Sequence, residues 1–184
     1  MVIQKQLMTT PEFLAFANAP ENADKLLELI DGEIGQKDGS FMPSVVAGAI
    51  CAFITQYNLS YKTGRVTSAS ATYVIGEKDA YTPGAAYISK QRMPERPPRE
   101  CPIPPDFAVE VKSPTDSKRA LRRKAEKYLS AGTRLVWLVF PDDQQVEVYS
   151  IHDEDLLPVG IDGILDGRDV LPGFTLAVKD IFPT

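Results

Sequence analysis

The sequence predicts an α/β protein with a central mixed β-sheet flanked by α-helices and an N-terminal β-hairpin. Three stretches carry that reading. Leu29-Ile30-Asp31-Gly32-Glu33-Ile34 sets Asp-Gly between apolar pairs, the strongest short-range hairpin signal. Residues 106–112 alternate strictly, with Phe107, Val109 and Val111 on one face and Asp106, Ala108, Glu110 and Lys112 on the other. Residues 134–140 hold the unbroken apolar run Leu-Val-Trp-Leu-Val-Phe, typical of a strand covered on both faces. A helical pattern separates the last two. Strand, helix and buried strand in that order form a crossover, which requires a parallel strand pair.

The remaining elements follow in chain order. Thr10-Pro11-Glu12 reads as a helix start, with a hydroxyl cap, an early proline and an acid in the first turn. Phe13, Leu14 and Ala17 form its apolar face. A second helical pattern covers residues 22–29, and the hairpin's first strand ends near Ile30. Pro43 and Ser44 open a third, well-buried helix over 45–57. Residues 65–75 and 85–89 read as strands joined by a polar turn at Glu77-Lys78-Asp79. Residues 90–105 carry Pro94, Pro97, Pro98, Pro102, Pro104 and Pro105, so they form a loop, either a flap or a linking excursion. Ser113–Asp116 is a turn and cap before a helix over 117–131, which Gly132 terminates. Pro141-Asp142-Asp143 turns into an alternating strand over 145–151. Asp162-Gly163, Asp166-Gly167 and Pro172-Gly173 mark short strands and turns in the tail.

At 184 residues, 43% hydrophobic and 24% charged, the chain has ordinary globular composition, and one domain over 1–184 is expected. No stretch reads as the roughly 20 apolar residues of a membrane span. The start, Met-Val-Ile-Gln-Lys-Gln-Leu, lacks signal-peptide character, so the expected location is cytoplasmic. Cys51 and Cys101 are unclustered, which suggests neither a disulfide framework nor a zinc site. Net charge is −5, against a generally basic nucleic-acid-binding surface. One local exception exists: Lys118, Arg119, Arg122, Arg123, Lys124 and Lys127 face a single acid, Glu126, within ten residues.

The candidate chemistry sits on the alternating strand. Glu110 and Lys112 share a face about 6.6 Å apart, at ~3.3 Å per residue. Such a carboxylate suits a hard divalent cation, and such a lysine can orient water or stabilise charge on a phosphate. The plain alternative is a sheet face carrying an ion pair. On the next helix, Leu121, Ala125, Tyr128 and Leu129 form an apolar stripe that Lys124 borders. A lysine so directed either snorkels or meets a carboxylate, and Glu110 is the one at hand. Tyr128 either joins that network or is core. The single histidine, His152, has no second imidazole near it in the sequence, and no phosphate-binding glycine loop is present. Ser113 beside Lys112 points to the opposite strand face, which makes a Ser-Lys hydrolase pair a poor reading.

With these pieces in order, the chain resembles the Uma family of nucleases, within the PD-(D/E)xK, restriction-endonuclease-like superfamily. The resemblance rests on Leu27-Glu28-Leu29-Ile30-Asp31-Gly32-Glu33-Ile34, on Pro105 through Pro114, and on Lys124, Tyr128, Gly132 and Trp137-Leu138-Val139. It implies a restriction-endonuclease-like fold and metal-dependent hydrolysis of DNA phosphodiesters with Mg²⁺ or Mn²⁺. It also implies Glu110 as metal ligand, Lys112 as the lysine of the Glu-x-Lys element, Glu28 as the hairpin acid and Lys124 as an auxiliary base. Glu33 is the alternative hairpin acid. The resemblance places an aspartate after Pro83, where this chain has Gly84, and a histidine near Ser44. Asp79 lies across the proline, and Asp106 lies about 13 Å from Glu110 along the strand, at ~3.3 Å per residue, so neither substitutes. Two further readings stay open: an inactive descendant that binds nucleic acid or a protein, and a small homodimeric interaction protein.

Overall fold

The computed structural model describes residues 7–37, 39–152 and 158–182; the first six residues and the acidic stretch after His152 lie outside these. The chain opens with α1 (Thr10–Ala17). Its cap is Thr9 rather than Thr10, because the Glu12 carboxylate accepts from both the Thr9 N–H and its Oγ1, at 2.8 and 2.7 Å. The helix expected over 22–29 does not form. A short 3₁₀ turn, Pro20–Asn22, leads instead into β1 (Leu27–Ile30). Pairing on both edges of β1 outweighs the helical pattern of its side chains: it meets β2 (Glu33–Gln36) on one side and β5 (Asp79–Tyr81) on the other.

The Asp31-Gly32 turn forms as expected, with both residues in left-handed backbone (φ 53° and 80°), the primed geometry that matches strand twist. It fixes the register Ile30↔Glu33, Leu29↔Ile34, Glu28↔Gly35. After it, α2 (Phe41–Tyr61) runs longer than 45–57 and presents only Val46, Ala47, Ile50 and Ile54 fully to the interior. By length and composition α2 could cross a bilayer, contrary to the sequence reading; here one face of it lies on the sheet. The single strand expected over 65–75 is two, β3 (Gly64–Ser68) and β4 (Tyr73–Gly76). A turn at Ser68–Ala71 breaks the ladder, and the two strands join different sheets.

The larger sheet has the order β10-β9-β8-β7-β6-β3, formed by β6 (Ala85–Ser89), β7 (Phe107–Val111), β8 (Leu135–Phe140), β9 (Gln145–Ser150) and β10 (Pro158–Val159) with β3. β7 and β8 are parallel, joined across α3 (Lys118–Ser130), and the other pairs are antiparallel, so the sheet is mixed as expected. Strand alternation sorts the two faces. Phe107, Val109, Leu135, Trp137 and Val139 pack with Val46, Ile50 and Ile54 of α2, while Ala108, Val136, Leu138 and Phe140 pack with Leu121, Ala125 and Tyr128 of α3. The tail hairpin, β11 (Ile164–Asp166) and β12 (Thr175–Ala177), closes the α2 side with Leu165, Phe174 and Leu176. Residues 90–105 form a tethered excursion: Cys101 bridges to Tyr73, and the Arg65 guanidinium donates to the Pro94 carbonyl at 2.7 Å.

The hairpin turn generates a prediction. A Cβ on Gly32 would stand 2.8 Å from the Leu7 Cβ as well as on left-handed backbone. Gly32→Ala should therefore lower stability by about 2 kcal/mol, read as a lower urea midpoint with an unchanged slope.

Candidate active site

Alternation along β1 turns Leu27 and Leu29 toward Phe13 of α1 and Glu28 to the opposite side. That side faces β7 and α3. There Glu28 meets Lys124, whose ammonium donates to both Glu28 oxygens at 3.0 and 2.8 Å and to Glu110 Oε1 at 3.2 Å. All three residues are buried, with relative exposures of 4%, 6% and 1% for Glu28, Lys124 and Glu110. The Tyr128 hydroxyl donates to Glu110 Oε1 at 3.0 Å, and the Lys124 ammonium lies 4.9 Å over the Tyr81 ring. Tyr128 thus belongs to the polar network as well as to the core.

Lys37, which the sequence reading passed over, completes the cluster. Its backbone N–H continues the hairpin ladder to the Leu26 carbonyl, and its ammonium donates to the Thr82 carbonyl at 2.6 Å and to Glu110 Oε2 at 3.3 Å. It also stands 3.7 Å from Glu28 Oε1. Thr82 is held in turn, since its N–H donates to Glu28 Oε1 at 2.7 Å.

These contacts decide protonation. Burial opposes the charge on Glu110, but the Lys124 and Lys37 ammoniums and the Tyr128 hydrogen bond outweigh it and hold the carboxyl below its ordinary value of 4.5. Burial likewise opposes the charge on Lys124, and the Glu110 and Glu28 carboxylates overcome it, raising the ammonium above its ordinary value of 10.5. Glu110 and Lys124 therefore face one another as ions.

The cluster forms the floor of a cavity of about 320 Å³ between the hairpin, the start of α2 and the start of α3, lined also by Ser44, Ala47 and Gly84. Ser44 stands there in place of the histidine that the resemblance implies. Gly84 donates its N–H to the Val109 carbonyl at 2.8 Å, and a Cβ on it would stand 3.1 Å from the Ala47 Cβ. Gly84 thus lies against β7 beside Glu110, with α2 packed against it.

Not every expected residue converges here. Lys112 lies just past the end of β7, and its ammonium donates to the Ser113 carbonyl at 3.0 Å, 4.0 Å from Asp142. Glu33 is exposed at the start of β2 while Glu28 points inward. Asp79 binds Lys127, and Asp106 is buried at the far end of β7 against Arg92 and Arg134. The basic run on α3 is largely compensated: Lys118 meets Asp143, Arg122 meets Glu147, Arg123 meets Asp31 and Lys127 meets Asp31 and Asp79.

A family model described as Uma2, putative restriction endonuclease, matches residues 10–179, and the chain belongs to that family. The crystal structure of a putative nuclease belonging to DUF820 from Anabaena variabilis superposes with a TM-score of 0.81. The two share 24% identity over 95% of this chain and 97% of that one, a likeness that establishes the fold. No curated protein matches the chain.

Restriction-endonuclease-like enzymes generally use a divalent metal ion. The donors here do not fit one as they stand. Among the described residues no three metal-ligating side chains cluster, and each of the two carboxylates is already compensated by ammonium.

Two predictions follow from this geometry. Glu110 is lowered on folding, so its contribution to stability is present above the unfolded value and lost as pH falls through the folded one. Lys124 is raised, so its contribution holds below the unfolded lysine value and is lost as pH rises through the folded one. Lys124→Met should cost about 3–5 kcal/mol at neutral pH, because it strands buried carboxylates, and urea melts should show that cost shrinking on acidification. Gly84→Asp should cost about 1–3 kcal/mol through contact with Ala47, and Ala47→Gly in the same chain should recover much of it in thermal melts.

Proposed function

We propose that this chain hydrolyses phosphodiesters of DNA at the cavity above Glu110, at a rate limited by the absence of a carboxylate at Gly84. One observation carries the reading. Buried ion clusters contribute little net stability compared with apolar packing, so a four-charge cluster under an open cavity is best explained by work done in that cavity. Glu110 supplies the ionised carboxylate facing the cavity. Lys124, fixed in turn by Glu28, and Lys37 hold it in its charged form. Lys112, on a long flexible stem beside the cavity-lining Val111 and Ser113, reaches the scissile phosphate by leaving its contact with the Ser113 carbonyl. With its carboxylates compensated, the free protein binds Mg²⁺ or Mn²⁺ weakly.

A second reading is favoured by Gly84 and by the paired lysines: a descendant that keeps the fold and binds nucleic acid without cutting it. Supercoiled plasmid with Mg²⁺ or Mn²⁺ separates the two. The first reading expects slow nicking by the wild type and a loss of about 100-fold or more in Glu110→Gln, the scale seen when a key charged group at a reacting centre is removed. An intact plasmid, together with DNA binding that weakens steeply with salt, would establish the second. An intact plasmid and no binding at low salt would sink both, leaving a protein that acts through partners or a second copy of itself.

A further inference from the structure

The mismatch between this site and a divalent ion has a specific cause. Lys37 Nζ is surrounded by three oxygens: the Thr82 carbonyl at 2.6 Å, Glu110 Oε2 at 3.3 Å and Glu28 Oε1 at 3.7 Å. Two carboxylates and a backbone carbonyl are the donors that a hard divalent cation takes. An ammonium of the protein's own occupies their centre. We propose that Lys37 is a built-in counter-cation that fills the cation position of this site and competes with Mg²⁺ or Mn²⁺ for it. The inference rests on reading the Glu28–Glu110 cluster as the working site.

Charge and access both support it. Glu28 and Glu110 are balanced by Lys124 and Lys37, so the cluster is neutral, and a metal ion added to it would bring two uncompensated charges into a poorly hydrated place. The two lysines are not equivalent. Lys124 is enclosed, with its side chain 8% exposed, and bridges both carboxylates from the α3 side. Lys37 enters from the cavity side with its side chain 28% exposed, so it alone of the two can withdraw into solvent without disturbing the core. The hairpin provides the path. Glu28 faces Gly35 across the ladder, and Lys37, two residues further on, shares that face. No side chain at position 35 stands between the Lys37 stem and the carboxylates.

The test is Mn²⁺ binding, followed by calorimetry and by the electron spin resonance signal of free Mn²⁺, with no nucleic acid present. Wild type and Lys37→Arg, which keep the charge, should bind weakly. Lys37→Met should bind at least tenfold more tightly, its melting temperature should rise on adding Mn²⁺, and Glu110→Gln in the same chain should abolish both effects. Lys37→Gln keeps an N–H for the Thr82 carbonyl while removing the charge, and serves if Lys37→Met folds poorly. Folded charge-free variants that bind Mn²⁺ no more tightly than wild type would overturn the proposal. The outcome is independent of cutting. Tighter Mn²⁺ binding without plasmid cleavage would sink the nuclease reading and leave Lys37's role standing, whereas metal-dependent cleavage with equal affinities across the Lys37 series would remove this proposal alone.

Discussion

The Lys124 ammonium, enclosed between Glu28 and Glu110, joins three parts of the chain that are far apart in sequence. Glu28 arrives on the N-terminal hairpin, Glu110 on the central strand and Lys124 on the crossover helix. None of these ions could be buried alone, because an uncompensated charge in a poorly hydrated interior costs several kcal/mol. Their mutual contact therefore sets how the small hairpin sheet sits against the large one. A slip of one residue in β1 would turn Glu28 toward Phe13 and bring Leu27 or Leu29 to the lysine, so the register of the Asp31-Gly32 turn is also a condition for the site.

The same bookkeeping extends outward from the cluster. Lys37 balances the second carboxylate, Lys127 and Arg123 are balanced by Asp31 and Asp79, and Arg122 by Glu147. A helix that looks strongly basic in sequence is therefore a seam of ion pairs tying α3 to the hairpin and to β9. This accounts for a protein with net charge −5 that carries a dense cationic run, and it shows why charge counted along a sequence is a poor guide to a phosphate-binding surface.

Much of the site was legible before any coordinates. Lys124 bordering an apolar helical stripe had to snorkel or meet a carboxylate, with Glu110 on the packed strand at hand, and the 3.2 Å contact shows the second. Lys37 was legible too, although it was missed. Once Asp31-Gly32 is taken as a two-residue turn, Glu28 falls opposite Gly35, and Lys37 lies diagonally beside Glu28 on the same face. Where the reading failed, pairing was the reason. The helical pattern over 22–29 yielded to β1, which has neighbours on both edges, and the strand over 65–75 was divided because its halves pair in different sheets.

The sequence by itself determined the mixed sheet, the hairpin and the crossover, and narrowed Lys124 to solvent or Glu110, because each follows from short-range periodicity or from a turn with one favoured geometry. Tertiary structure alone decided three things: the inward turn of Glu28 rather than Glu33, the contact of the Lys112 ammonium with the Ser113 carbonyl, and the packing of Ala47 against Gly84. Each of these depends on where separate elements meet in space. A long flexible side chain at a strand end, or a glycine under a helix, takes its surroundings from the neighbours that packing supplies rather than from its place in the chain.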